Sequence, residues 1–186
     1  MSIKRLFSYD EHKGEYLYLD TQRKYEIART VLYFAISFAI FFIGFFTTGT
    51  KKNLLTIVAV LGMLPASKSL VSVIMFARYK SFREEIEVPD VLCAYDCVFT
   101  SEKKNFVVNH LCVAGSCIIG YSVDKGFDEK VFREHILTIL SVEKYTDVTV
   151  KVFTDVKAYL ARIEMLGTSD DKKDAGIMAV LKQIIL

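Results

Sequence analysis

The sequence predicts a membrane α-helical hairpin of two transmembrane helices followed by a small cytosolic α+β domain. Two apolar segments, residues 31–46 and 54–76, lie close together with a short polar turn between them. The residues after position 77 are enough for one small domain, and they alternate between strand-like and amphipathic helical patterns. The net charge of +2 gives no strong field, so we expect no nucleic acid partner.

The first apolar segment is long enough to cross a bilayer. It carries no charge between Arg29 and Lys51, and a helix needs roughly 20 such residues to span the hydrocarbon core. The second segment is interrupted only by Lys68. Two buried core helices of a soluble protein are the alternative, but they would keep a polar stripe that residues 34–46 lack. A signal peptide would be shorter and nearer residue 1, so we expect the hairpin to be retained.

Basic residues indicate how the hairpin is oriented. Three precede it and three follow it, whereas the turn offers only Lys51 and Lys52. Positive charge favours the cytoplasmic side, so the sequence predicts a multi-pass protein of the cell membrane with both termini in the cytoplasm. All four cysteines follow the hairpin, where a reducing cytosol would keep them as thiols. The flanking basic residues are Arg23, Lys24, Arg29, Arg78, Lys80 and Arg83.

The chain divides into a cytosolic arm over residues 1–28, the hairpin over residues 29–77 and the α+β domain over residues 78–186. Thr21 is a plausible N-cap from which the first helix runs into the membrane. We expect the second helix to continue out of the membrane to residue 87, because Pro89 then stops it.

The first half of the α+β domain reads as a three-stranded antiparallel meander. Residues 91–100, 105–113 and 117–123 are rich in apolar and β-branched residues, and short polar turns separate them. A helix capped by Asp128 follows and runs to residue 142.

The second half contains one strand and two helices. Val148, Val150 and Val152 alternate with polar residues as a fourth strand. The next helix is capped by Thr154 or Asp155 and ended by Gly167, and the last helix opens at Ser169 or Asp170; these residues are good caps. The predicted order of the domain is therefore helix, three-stranded meander, helix, strand, helix, helix.

Small residues form a stripe on each hairpin helix. Such stripes let helix backbones approach closely in lipid, so we expect them to close the hairpin on itself. A homo-oligomer built through the same face is the alternative. The small residues are Ala59, Gly62, Ala66 and Ser69 on the second helix, and Ala35 and Ala39 on the first.

Pro65 and Lys68 are the polar or helix-breaking candidates inside the second apolar segment. A charge there costs about 3 kcal/mol and is a functional candidate by default, while proline removes a helical hydrogen bond. The side chain of Lys68 can also snorkel to the cytoplasmic headgroups, about ten residues before Arg78. A transport or proton-relay role would want a carboxylate partner, and we expect neither helix to supply one.

The cysteines could form a metal site. If the turn at Gly115 is tight, Cys112 and Cys117 meet across a hairpin, while Cys93 and Cys97 share a strand face; His110 would be an outer ligand. The spacings differ from the two-residue knuckle of most structural zinc sites, and cysteine is often simply buried. The sequence therefore favours buried thiols and predicts no metal and no cofactor.

The element order of the domain resembles that of restriction-endonuclease-like nucleases. That family needs an acidic residue on the second strand and an acidic-x-lysine motif on the third, to hold a magnesium ion. The second strand here has Asn109 and His110, and residues 117–122 contain no carboxylate. The resemblance is therefore in topology alone, and the chemistry is missing.

These observations favour a membrane-anchored binding or scaffolding module that contacts another protein or a second copy of itself. The first alternative is an enzyme, or its remnant, with a degenerate nuclease-like site. The second is a small oligomeric transport or channel subunit that uses Lys68.

Overall fold

The computed structural model describes residues 12–50, 53–86, 88, 91–101, 104–166 and 171–186. The chain forms two compact units. One unit is the hairpin, Leu19–Lys80, and the other joins residues 12–18 to Ser81–Leu186. Two long apolar helices followed by a small α+β domain are therefore present, as the sequence predicts.

The hairpin consists of α1 (Tyr18–Thr48) and α2 (Leu54–Ala77). The predicted N-cap at Thr21 is too late by four residues, because Leu17, with a φ of +56°, already makes the turn into the helix that begins at Tyr18. Asn53 caps α2: its Oδ1 accepts from the backbone N–H of Thr56 at 2.7 Å, and its Nδ2 donates to the carbonyl of Gly44 at 2.8 Å. Lys51 and Lys52 of the predicted turn lie outside the described residues.

Three close approaches between α1 and α2 are spaced seven residues apart on both helices. The Thr30 and Ser69 hydroxyl oxygens lie 2.8 Å apart. A Cβ added to Gly62 would meet Ser37 Oγ at 2.8 Å, and one added to Gly44 would meet Leu55 Cβ at 2.7 Å. A seven-residue spacing is that of left-handed helix pairs. The three pairs are Thr30 with Ser69, Ser37 with Gly62, and Gly44 with Leu55.

The second unit contains a four-stranded mixed sheet with spatial order β1 (Leu92–Phe99), β2 (Phe106–Ala114), β3 (Cys117–Tyr121) and β4 (Thr149–Phe153). The first three strands pair antiparallel, and β4 adds parallel to β3. The strand pattern thus differs from the predicted meander with a separate fourth strand. The reason is the long connection through α3 (Glu129–Val142), which returns the chain to the same end of the sheet.

Helices cover both faces of the sheet. On one face, α3 and α5 (Asp171–Ile184) build the larger core around Phe99, Phe132 and Ile177. On the other face, α4 (Val156–Glu164) places Tyr159 and Ile163 against Ile119 and Tyr121. Asp128 caps α3 and Asp155 caps α4, whereas the predicted ends at Gly167, Ser169 and Asp170 lie outside the described residues.

The helix predicted over residues 78–87 is wrong. α2 ends at Ala77, and residues 79–86 have no helical or strand structure. Their backbone finds partners on β1 instead: the N–H of Phe82 donates to Asp96 Oδ1 at 2.8 Å, and the Tyr95 hydroxyl donates to the carbonyl of Ile86 at 2.7 Å. Phe82 also packs beside Tyr121, with ring centroids 5.6 Å apart. These long-range contacts replace the helical hydrogen bonds.

Segments from distant parts of the chain close the outer edge of β1. The N–H of Tyr95 donates to the carbonyl of Gly14 at 2.9 Å, and the N–H of Leu186 donates to the carbonyl of Val98 at 3.0 Å. Phe99 and Ile185 form an antiparallel bridge. The edge is therefore paired at two points, which limits its exposure to other strands.

Candidate functional site

The α+β domain collects two cysteines, a histidine and a tyrosine on one face of the sheet. Cys93 on β1 lies directly opposite Cys112 on β2, with a Cα–Cα distance of 4.2 Å, which is typical of a non-hydrogen-bonded cross-strand pair. His110 lies two residues before Cys112 on the same strand and so faces the same side. Tyr159 reaches this cluster from α4. We call these four residues the thiol–imidazole cluster.

An irregularity shared by β1 and β2 separates this cluster from the remaining strand residues. Asp96 has a φ of +55°, and neither Asp96 nor the facing Asn109 takes part in the ladder. The alternation of side chains shifts there: Cys93 belongs to the smaller core, while Cys97 belongs to the larger core on the opposite face. Cys93 and Cys97 therefore lie on opposite faces of the sheet, and the prediction that they share a face is wrong.

The atoms of the thiol–imidazole cluster are in direct contact. His110 Nδ1 and the Tyr159 hydroxyl are hydrogen-bonded at 2.6 Å, and Cys112 Sγ lies 3.9 Å from His110 Nδ1 and 3.6 Å from the same hydroxyl. His110 Nε2 is buried and has no hydrogen-bond partner within the described part of the chain. The ligand atoms of Cys93, His110 and Cys112 all lie within 4.8 Å of one another.

Burial sets the protonation states of the cluster. His110, Cys112 and Tyr159 are each 0% exposed, and Cys93 is half-buried. Burial lowers the pKa of His110 to about 4 and raises the pKa of Tyr159 above its usual range, because both charged forms lose their hydration. The imidazole and the phenol are therefore neutral at pH 7.

The structure joins Cys93 and Cys112 in a disulfide, whereas Cys97 and Cys117 are free. The prediction of four free thiols is thus wrong for Cys93 and Cys112, because the strand register places these two cysteines side by side. Cys117 pairs with Ala114, and Ile119 is the residue of β3 opposite Cys112. The predicted contact between Cys112 and Cys117 does not occur, and His110 instead lies beside Cys112.

A second polar cluster lies inside the hairpin, near the start of α1. Arg29 Nη1 and Glu26 Oε1 form an ion pair at 2.9 Å, with side chains only 4% and 0% exposed. Gln22 Nε2 donates to the same carboxylate at 3.1 Å, and Ser69 Oγ approaches its second oxygen at 3.5 Å. The Thr30 hydroxyl completes the cluster through Ser69. We call this set the hairpin polar cluster.

Sequence reasoning missed Glu26. Its spacing of three residues from Arg29 is the usable signal, since residues three apart meet on a helix. In the sequence, the basic residues near the start of α1 indicate only the orientation of the hairpin. In the structure, the side chain of Arg29 is buried, with 3% exposed. A carboxylate is thus present on α1, although it contacts Ser69 and not Lys68.

Lys68 and Pro65, the predicted intramembrane candidates, are both exposed on α2. Pro65 leaves α2 assigned as one continuous helix. The adjacent Ser67 bonds back to the carbonyl of Met63 at 2.8 Å, and Ser72 bonds to the carbonyl of Lys68 at 3.3 Å. The structure therefore brings Lys68 into neither polar cluster.

The small residues of α2 face α1, but those expected on α1 do not face α2. Ala59, Ala66 and Ser69 are 4%, 0% and 4% exposed, and Gly62 abuts Ser37. Ala35 and Ala39 are exposed. Ser37 and Gly44 contact α2 instead, because the contacts of α1 with α2 are spaced seven residues apart, starting at Thr30.

Both hairpin helices are long and apolar enough to cross a membrane by length and composition. The most apolar stretch of each has a mean hydropathy of 2.1 and 1.9, and only 17% of either stretch is buried. Large apolar side chains are exposed along both helices, among them Phe38, Phe42, Phe46, Ile57, Leu61 and Leu64.

Comparisons with known proteins assign no family to this fold. No protein-family model, no curated protein and no solved structure matches the chain.

Proposed function

We propose that this chain is a multi-pass integral membrane protein whose termini lie in the cytosol. We further propose that its α+β domain acts there as a binding or scaffolding module for another protein or a second copy. The observation that carries the membrane part is the apolar outer surface of α1 and α2, of which only 17% is buried in the most apolar stretches. Soluble proteins rarely expose apolar patches larger than a few hundred Å², so acyl chains are the natural solvent for this surface.

The burial of the α+β domain's chemically active groups supports binding over catalysis. His110, Cys112 and Tyr159 are all 0% exposed, so a bulky substrate cannot reach them without a rearrangement. Both faces of the sheet are packed by helices, which makes the domain a rigid support for surface contacts. A scaffold needs that rigidity, whereas an enzyme needs an accessible cleft.

Membrane extraction tests the first part of the proposal. The full-length chain is expected to stay in the membrane pellet after alkaline carbonate washing and to enter solution only with detergent. Phe42→Asp, which places a charge on an exposed position of α1, is expected to release protein from the pellet, because a carboxylate in hydrocarbon costs about 3 kcal/mol. Val123→Asp is the matched control, since Val123 is 56% exposed on the α+β domain. A monodisperse protein in detergent-free buffer would refute the anchor.

Topology and partner capture test the second part. A protease site placed after Leu186 should be cut only once the cells are permeabilised, because both termini are expected inside. Cross-linking in native membranes should then retain one defined partner, or a second copy, and truncation after Lys80 should abolish the capture. Cutting in intact cells would place the α+β domain outside and refute the cytosolic assignment.

A further inference from the structure

We propose that the dithiol state of the α+β domain binds one Zn²⁺ ion through Cys93 Sγ, Cys112 Sγ and His110 Nδ1, with the Tyr159 hydroxyl or water in the fourth position. This inference goes beyond the proposed function and stands or falls without it. It rests on the geometry, the donor chemistry and the burial of the thiol–imidazole cluster.

The three ligand atoms lie within 4.8 Å of one another, and one pair is already spaced almost as a tetrahedral zinc site requires. Zinc bonds of about 2.3 Å to sulfur and 2.0 Å to nitrogen put neighbouring ligand atoms roughly 3.5 to 3.8 Å apart. Cys112 Sγ and His110 Nδ1 are 3.9 Å apart, and Cys93 lies across the ladder from Cys112. Two adjustments are needed: the two sulfurs separate once their bond is reduced, and the Tyr159 hydroxyl gives up its 2.6 Å hydrogen bond to His110 Nδ1.

The donor set also matches the ion. Thiolate sulfur together with a neutral imidazole is a combination that zinc favours, and magnesium prefers oxygen ligands. Cys93 is the half-buried member, so an ion would approach from its side.

The histidine already faces the thiols. His110 is 0% exposed, and its Nδ1, the proposed ligand atom, points at Cys112 Sγ and the Tyr159 hydroxyl. The placement on two paired strands also fixes the ligands rigidly.

The two states of the cluster are linked by a balanced reaction. A small dithiol reduces the Cys93–Cys112 bond: the sulfur–sulfur bond breaks, two electrons and two protons pass to the cysteines, and the reductant becomes a disulfide. Zn²⁺ then displaces the two thiol protons as it binds. Oxidation of the cluster and zinc binding therefore exclude each other.

The test uses the full-length protein in detergent micelles, reduced with a phosphine and titrated with Zn²⁺ against a chromogenic chelator. One equivalent is expected to bind. Cys112→Ser and His110→Ala should each weaken binding by more than roughly 100-fold, since loss of even an outer-shell partner costs 10–100-fold. Cys117→Ser is the matched control and should bind as the unaltered chain does. Substituting Co²⁺ should give a sulfur-to-metal absorption band that Cys112→Ser lacks.

Circular dichroism of each variant separates loss of the site from loss of the fold. A natively folded, reduced chain that fails to compete with the chelator would overturn the proposal. So would undiminished binding by Cys112→Ser, because the ion would then sit elsewhere. Protection of Cys93 from alkylation by added Zn²⁺, but not by added Mg²⁺, is the corresponding positive result.

Discussion

The hairpin and the α+β domain both bury polar side chains, but the principal partners of those side chains lie at different distances along the chain. In the hairpin polar cluster, Glu26 is bonded to Gln22 and Arg29, four residues before it and three after, and its contact with Ser69 of the other helix is longer, at 3.5 Å. In the thiol–imidazole cluster, His110 is bonded to Tyr159, 49 residues away. A helix supplies its own partners at fixed spacings, whereas a sheet depends on whichever element packs upon it.

The two clusters also differ in charge. Glu26 and Arg29 satisfy each other as an ion pair, so the cost of burying charge is met locally. The cluster of the α+β domain avoids charge, because His110 and Tyr159 are held neutral by burial. The stability of the hairpin polar cluster therefore depends on keeping both Glu26 and Arg29. The stability of the thiol–imidazole cluster depends on pH.

Removing Arg29 should have the largest effect on this comparison. Arg29→Met leaves the Glu26 carboxylate buried with its charge uncompensated, and we expect a loss of about 3–5 kcal/mol in the free energy of unfolding. Denaturing-detergent titration followed by helical circular dichroism measures it. The control is Arg23→Met, because the Arg23–Asp20 pair is 32% and 24% exposed and should contribute no more than about 1 kcal/mol. Equal losses in the two variants would contradict local charge compensation.

Acid should destabilise the α+β domain through His110. Its folded pKa is about 4 and the unfolded value is about 6.5, so the unfolded state binds more protons between those pH values. The free energy of unfolding should therefore fall as pH drops through this window, by on the order of 3 kcal/mol. Tyr95, Cys112 and Tyr159 face the imidazole.

Guanidinium unfolding of the full chain with a chelator present, at several pH values between 4 and 7, measures this slope. His110→Gln cannot titrate, and it should flatten the curve relative to the unaltered chain. Parallel curves for the two proteins would show that His110 does not carry the dependence.

Asp174 should have the next largest effect, as a long-range partner in the domain. Its carboxylate accepts from the N–H groups of Gly115 and Ser116 at 2.9 and 3.0 Å, in a turn where both residues have positive φ. Asp174→Ala is expected to cost about 2–3 kcal/mol in urea unfolding followed by near-ultraviolet circular dichroism. Asp124→Ala is the control, since its similar bond to Gly126 is exposed; a comparable loss there would argue against burial as the cause.

Gly44 should give the smallest effect, and it tests the seven-residue contact step. A Cβ there would lie 2.7 Å from Leu55 Cβ, so Gly44→Ala should cost about 1 kcal/mol after the better helix propensity of alanine is included. Gly62→Ala should be nearly neutral, because the facing Ser37 hydroxyl can rotate away. Ala35→Val, at an exposed position, is the control for the same detergent titration. A larger loss of unfolding free energy in Ala35→Val than in Gly44→Ala would indicate that α1 contacts α2 through its other face.

The hairpin could be predicted from the sequence because its signals are local. Length, apolarity and the Asn53 turn all act within a few residues of each other. The contacting residues of α1 could not be assigned so well: Ala35 and Ala39 are small, but the step that relates Thr30, Ser37 and Gly44 depends on which face meets α2. Small size alone does not specify that face.

The α+β domain was predictable in its element order from the first strand onward, but not in the helix expected before that strand or in the strand pairing. The caps Asp128 and Asp155 follow from local hydrogen-bonding rules. Three features depend on contacts between residues far apart in the chain, such as that of Phe82 with Asp96. They are the parallel pairing of β4 with β3, the end of α2 at Ala77, and the change at Asp96 in which sheet face the side chains of β1 occupy. Cys93, Cys112 and His110 were named as candidate ligands, but the pairing of Cys93 with Cys112 and the contribution of Tyr159 were missed for the same reason, because they follow from strand register and from the packing of α4.

The closed edge of β1 has a consequence for biosynthesis. Its two outer partners, Gly14 and Leu186, leave the ribosome before the hairpin and after every strand of the sheet, respectively. The Tyr95 end of the strand can therefore pair at once, whereas the end at Val98 and Phe99 stays open to mispairing until residues 185–186 emerge. We expect nascent chains truncated before this point to aggregate more readily than the full chain.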